Sequence, residues 1–197
     1  NGQFGNGIYF NGVDSWLETD FAGISGTAPR TVAFWVKVPS DFSINHGYGI
    51  LSWGLSHDQS AWQISPNPAK LDGPLGRIRV GSHQAEVIGS TDIRDNRWHH
   101  VAIVMYGGKD VDLSTHVLMY LDGKIEQSSK KSIAKIDTKL EHPDSRPLIM
   151  GKNIAFRDDV QGTYPYKFFK GFLDEVYIFN RALNQEDVNK LMKNNKL

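Results

Sequence analysis

Paired carboxylates, adjacent histidines and aromatics interleaved with arginines are the residues of this chain that could do chemistry. Asp174 and Glu175 interrupt an otherwise apolar, strand-forming run at 172–179. A carboxylate in a buried strand is costly unless something pairs with it. These two acids therefore need solvent, a hydrogen-bond donor or a cation. Asp158-Asp159 and Asp110/Asp112 are the other acid pairs. His99-His100 is tempting as a metal or catalytic pair, but neighbours on a strand point to opposite faces. A structural place in the strand is the expected one. Tyr48, Trp53, His57 and Trp62 crowd one loop-rich stretch, and Arg77 and Arg79 alternate with Ile78 and Val80. If the two aliphatic residues face the core, both guanidinium groups emerge on the other side, and His83 joins their row. A later cluster, with Arg157, Tyr164 and Tyr166, could overhang the same face. Sugars combine apolar ring faces with a rim of hydroxyls, so a site for them pairs aromatic platforms with a few polar groups. Trp62, near Ser60 and Gln63, is the expected platform. Trp53 suits either core or platform, and Trp35 and Trp98 are expected in the core. Two arginine forks acting together suit carboxylate or sulfate, which points to an acidic polysaccharide. A solvated pair of arginines without a ligand fits the same pattern.

The elements that must hold these residues are mostly strands. In 31–38, Val32, Phe34, Val36 and Val38 share one face, and Ala33, Trp35 and Lys37 the other. The run 101–105 is apolar on both faces, as in a central strand between two layers. Asp122-Gly123 between two strand-like runs predicts a tight hairpin, because both turn positions need positive φ. The runs 148–151 and 172–179 supply late strands. One helix is expected, at the end: Asn184 is its N-cap, Asp187 sits three residues on, and Val188, Leu191 and Met192 form an apolar stripe. This pattern predicts an all-β fold, a two-layer antiparallel β-sandwich with a short C-terminal helix. Long irregular stretches are expected at 39–48, 57–74, 128–146 and 153–166. Lys130 and its basic neighbours read as a solvated hairpin edge.

Composition narrows the classes. A chain of 197 residues suits one large all-β domain, 1–197, and can bury an adequate core. It has no cysteine, so no disulfide framework. Lys+Arg and Asp+Glu are equal at 22 each, which gives no general reason to expect nucleic acid as a partner. No apolar run approaches the roughly 18 residues of a membrane-spanning helix, so no membrane insertion is expected. The start, Asn1-Gly2-Gln3, is no signal peptide and lacks Met; an excised piece of a longer protein, attached to other domains, is expected.

Five segments in order resemble a known family. They are Tyr9-Phe10-Asn11-Gly12-Val13-Asp14, the strand at 31–37, Arg97-Trp98-His99-His100-Val101-Ala102, the hairpin at 118–124, and the ending Gly-Phe-Leu-Asp-Glu-Val-Tyr-Ile-Phe-Asn-Arg-Ala-Leu at 171–183. Together they resemble the laminin-G-like jelly rolls of the concanavalin-A-like lectin/glucanase superfamily. The resemblance implies a jelly roll with its first and last strands adjacent, and often a structural calcium. Calcium takes six to eight oxygens, several from backbone carbonyls. Asp174 would supply a carboxylate, and Asn11, Gly12 and Asp14 further oxygens; alternatively Asp174 caps backbone N–H groups at a bulge. Glucan-cleaving relatives carry a Glu-x-Asp-x-x-Glu-type strand, and none occurs here. The expectation is a non-catalytic carbohydrate-binding module for a polysaccharide or glycan, in a secreted or cell-surface protein. A protein-interaction or adhesion domain is the alternative, and a polysaccharide hydrolase or lyase ranks behind both.

Overall fold

A computed structural model describes residues 1–43, 48–82, 85–155 and 168–197. In chain order the elements are β1 (Ile8–Asn11), β2 (Leu17–Glu18), β3 (Arg30–Lys37), β4 (Leu51–Gly54), β5 (Ala61–Pro66), β6 (Ile78–Ser82), β7 (Ala85–Gly89), β8 (Trp98–Met105), α1 (Leu113–His116), β9 (Val117–Leu121), β10 (Lys124–Ile125), β11 (Ser128–Lys131), β12 (Arg146–Met150), β13 (Lys170–Phe179) and α2 (Gln185–Asn194). The first sheet runs β1-β13-β3-β8-β9-β10 and the second β11-β7-β6-β5-β4-β12-β2. All pairings are antiparallel. The fold is the expected β-sandwich, with β1 beside β13.

Period-two alternation builds the core. Val32, Phe34 and Val36 of β3, with Val101 and Ile103 of β8, face Trp53, Trp62, Ile64, Val80 and Val87 of the second sheet. The β9–β10 hairpin turns on Asp122 and Gly123, both at positive φ (49° and 76°), as its dipeptide requires. Asn184 caps α2 by accepting the Asp187 N–H at 2.9 Å. Val188 and Leu191 dock this helix on the outer face of the first sheet, against Ala33, Ala102, Val104 and Tyr120. The apolar character of 101–105 on both sides thus has two causes: sandwich core on one, helix on the other.

Several expectations change. The stretch 57–74 contains β5, and 128–146 contains β11. β5 escapes a count of apolar residues because Gln63 and Ser65 alternate with Trp62 and Ile64. Trp53 takes the core place of its two alternatives, and Trp62, Trp35 and Trp98 depart from expectation. Trp53 and Trp62 are wholly buried between the sheets. Trp35 and Trp98 are partly exposed on the outer face of the first sheet, where Phe4 packs edge-on against Trp35 at 6.2 Å.

Candidate functional site

The outer face of the second sheet carries polar side chains where the first carries apolar ones. Strand register brings them into rows. Ser52 pairs with Gln63, Gln63 with Gly81, and Gly81 with Glu86. One step along, Ser65 pairs with Arg79, Arg79 with Ile88, and Ile88 with Lys130. Gly81 keeps the row open: a Cβ there would come within 2.1 Å of the Ala85 carbonyl oxygen.

Arg79 is the centre. Its Nη1 donates to Gln63 Oε1 at 3.2 Å, and its Nη2 to Glu86 Oε2 at 3.5 Å. Asp72 Oδ2 stands 3.8 Å from Nε. The guanidinium lies 4.8 Å from the centre of the Tyr48 ring, a cation–π contact. Lys130 Nζ reaches Glu86 Oε1 at 2.5 Å, so this edge lysine turns inward to a buried carboxylate. Gln63 Nε2 donates to Asn153 Oδ1 at 3.2 Å.

Asp72 arrives from the β5–β6 loop. Buried Asn67 ties that loop together, its Nδ2 donating to the carbonyls of Ala69, Gly73 and Pro74. The same loop lays Gly73 against Ile88, and the Tyr48 hydroxyl donates to Asp72. Tyr48 is placed by Gly49, at φ 108°, where a Cβ would strike the Lys152 carbonyl oxygen at 2.1 Å.

The floor is closed to bulk water. Ser52, Ser65, Arg79 and Glu86 are each at most 4% exposed, whereas Tyr48 and Asp72 at the rim are half-buried. Among the described residues, Ser52 Oγ, Ser65 Oγ and Arg79 Nε are buried without a hydrogen-bond partner. Such atoms cost about 1–3 kcal/mol each unless water or a ligand satisfies them. They offer one N–H donor and two hydroxyls that can donate or accept.

Of the residues expected to form a ligand site, Arg79 and Tyr48 meet here. Arg77 does not. Its Nη1 binds Asp92 at 2.7 Å and the Leu75 carbonyl at 2.7 Å, and its Nε donates to the Ser90 carbonyl. Hydrogen bonding and charge from Arg94, with the charge of Arg77, hold the Asp92 carboxyl below its ordinary range despite partial burial. His57 is exposed in the β4–β5 turn, at the far end of the hairpin from Ser65. Trp53 and Trp62 offer no ring face to a ligand. Trp53 Nε1 donates to the Ile24 carbonyl, and Trp62 packs against Trp53 and the Arg30 guanidinium. Buried Arg30 donates to Ile24, Ser25, Gly26, Ala28 and Thr138, and desolvation lowers it to about 10. His83, Arg157, Tyr164 and Tyr166 lie outside the described residues. The alternation of Gln63, Ser65 and Glu86 with buried aliphatics was the available signal for the members that sequence reading missed.

The four expected calcium ligands do not converge. β1 pairs Asn11 with Lys170, four residues from Asp174 on β13, or roughly 13 Å along a strand. Asn11 Oδ1 already accepts from the N–H groups of Val13, Asp14 and Ser15 and from the Ser15 hydroxyl. Asp174 accepts the Phe4 N–H at 2.8 Å beside a bulge between Asp174 and Tyr177. These residues do not fit calcium as a set. Among the described residues no three His, Asp or Glu side chains gather where a metal could sit.

The histidines diverge as strand geometry requires. His99 lies between Asp122 (Nδ1, 2.8 Å) and Asp95 (Nε2, 3.1 Å), and hydrogen bonding to Asp122 leads the causes that raise its pKa. His100 is buried beside Trp35, and burial pushes it down to about 4. Of the described acid pairs, Asp110 binds Lys135 and Asp112 caps α1.

A family model described as concanavalin A-like lectin/glucanases superfamily matches residues 11–189. No match was found among curated proteins. Among solved structures, a Bacteroides ovatus protein provisionally described as carbohydrate binding is 18% identical with a TM-score of 0.64, over 94% of this chain and 46% of that one. A heptameric SAP-like pentraxin from Limulus polyphemus is 17% identical with a TM-score of 0.60, over 97% of this chain and 83% of that one. Domains LG4-5 of the mouse laminin α1 chain are 14% identical with a TM-score of 0.52, over 90% of this chain and 43% of those domains. At these identities the likeness shows the fold.

Proposed function

The chain belongs to the concanavalin A-like lectin/glucanases superfamily, and from that premise we propose that it is a non-catalytic carbohydrate-binding module that holds a polysaccharide on the outer face of its second sheet. One observation carries the reading: the buried polar floor around Arg79, with Ser52 Oγ, Ser65 Oγ and Arg79 Nε left without partners among the described residues. A floor of hydroxyls and a guanidinium beneath an aromatic rim matches what a sugar offers, hydroxyls around an apolar ring. The description of the Bacteroides relative as carbohydrate binding lends support. The module would serve as one part of a secreted or cell-surface protein. No helix among the described residues is long and apolar enough to cross a membrane.

Affinity gel electrophoresis against a panel of polysaccharides tests the reading. Retardation is expected, and Arg79→Met should weaken it more than tenfold, about 1.4 kcal/mol, with the fold intact by circular dichroism. No retardation in any gel overturns the proposal. A protein-interaction or adhesion reading has one observation in its favour, an open apolar groove of about 300 Å³ lined by Thr19, Phe21, Leu148, Met150, Val176 and Ile178. It requires binding that survives Arg79→Met and fails in Phe21→Asp.

A further inference from the structure

An arginine fork at the floor of a sugar site suggests an acidic ligand only if its charge is free. Here it is not. Among the described residues the ion-paired cluster at Arg79 holds two cations, Arg79 and Lys130, and two anions, Glu86 and Asp72. Lys130 is committed to Glu86 at 2.5 Å. Arg79 faces Glu86 through Nη2 and Asp72 through Nε.

We infer that the ligand of this face is a neutral saccharide, and that Glu86 and Asp72 are specificity-determining residues that exclude uronic acids and sulfate esters. The inference rests on the carbohydrate reading above. An anion seeking Arg79 would have to approach the unpartnered Nε, which lies 3.8 Å from the Asp72 carboxylate. Attraction to one cation would then be opposed by two nearby carboxylates. The side chains of Arg79 and Glu86 are each 5% exposed, so salt and water screen that opposition weakly. A neutral hydroxyl meets no such penalty. A hydroxyl that reaches this covered floor can accept the Nε–H and exchange hydrogen bonds with the Ser52 and Ser65 hydroxyls, which both donate and accept. The second arginine fork, Arg77, is occupied by Asp92 at 2.7 Å and adds no free positive charge.

The test is native electrophoresis of the 197-residue chain in gels of neutral galactomannan, neutral β-glucan, polygalacturonate and sulfated carrageenan, at about 150 mM salt. Retardation by a neutral polymer and not by the charged ones is the expected result. Retardation by polygalacturonate or carrageenan alone overturns the inference while leaving carbohydrate binding in place. Retardation by none removes the carbohydrate reading, and the inference with it. Glu86→Gln and Asp72→Asn each leave the cluster net positive, and each should shift preference at least tenfold toward polygalacturonate over the neutral polymer. Asp72 lies at the half-buried rim, so Asp72→Asn decides if Glu86→Gln fails to fold. A folded Asp72→Asn protein with unchanged preference overturns the role assigned to the carboxylates.

Discussion

The two outer faces of this sandwich are built by the same alternation and serve opposite ends. On the first sheet, Ala33, Ala102, Val104 and Tyr120 are small or apolar and lie beneath α2. On the second, Ser52, Gln63, Ser65, Arg79 and Glu86 occupy equivalent outward positions and are also buried, but they are polar. Orphaned atoms alone do not separate the faces, since among the described residues Trp35 Nε1 and His100 Nδ1 on the first also lack partners. The pairing of buried charges does: Arg79 faces Glu86 on the second, whereas Asp174, buried on the first, accepts the Phe4 N–H. A face that keeps a buried arginine against a carboxylate retains groups whose replacement by apolar ones often costs no stability. Burial by itself therefore does not mark a structural face. The chemistry of what is buried does.

The sharpest way to break this comparison is to damage the first face and watch the second. Leu191→Ala removes a buried anchor of α2 and should cost about 3 kcal/mol, read by urea denaturation, while polysaccharide retardation of the folded protein stays unchanged. A parallel loss of binding would mean that the faces are not independent.

The two histidines give a test by pH. His100 is held neutral by burial, its pKa lowered from 6.5 to about 4. In that window the unfolded chain binds the extra proton, so stability falls as pH drops from 6.5 toward 4, by roughly 2–3 kcal/mol. His99 is raised above 6.5, with its hydrogen bond to Asp122 the largest cause. Its contribution is complete below 6.5 and is lost as pH rises through the folded value. Relative to wild type, His100→Gln should flatten the acid limb and His99→Gln the neutral-to-alkaline limb. Identical pH profiles for the two variants would contradict the assigned environments.

A smaller effect is expected on the second face. Ser65→Ala removes a hydroxyl without a partner, so stability should hold or rise by up to about 1 kcal/mol, while retardation weakens. A loss of stability above that size would show that Ser65 serves the fold. The smallest effect concerns calcium. Because Asp174 binds the Phe4 N–H and Asn11 organises its own turn, chelation by EDTA should leave Tm unshifted. A fall in Tm that calcium restores, and that Asn11→Ala and Asp174→Asn abolish, would reinstate that set.

Much of the frame was legible locally. Asp122-Gly123 at positive φ, the Asn184 cap and the alternation of β3 are decided by neighbours in sequence, and all three stand as read. Asp122 shows where local reading stops: the turn residue also receives His99 and the His100 N–H. The site was less legible. Tyr48 and Arg79 were named, but Gln63, Asp72, Glu86 and Lys130 come from a strand taken for loop, from the β5–β6 loop, from β7 and from an edge strand. The reading of Trp62 failed for a related reason. Flanking polar residues suggested an exposed Trp62, yet on a strand they only say that neighbouring side chains point the other way.

The sequence by itself determined the period, the turns, the cap and, through five ordered segments, the family. A period of two separates side chains into two sets without saying which set is inside. Only the tertiary structure decided that, by setting α2 and the N-terminal residues on one outer face and gathering charges from distant strands on the other. Apolar area and charge balance are summed over neighbours in space, and those neighbours exist only once the two sheets have closed.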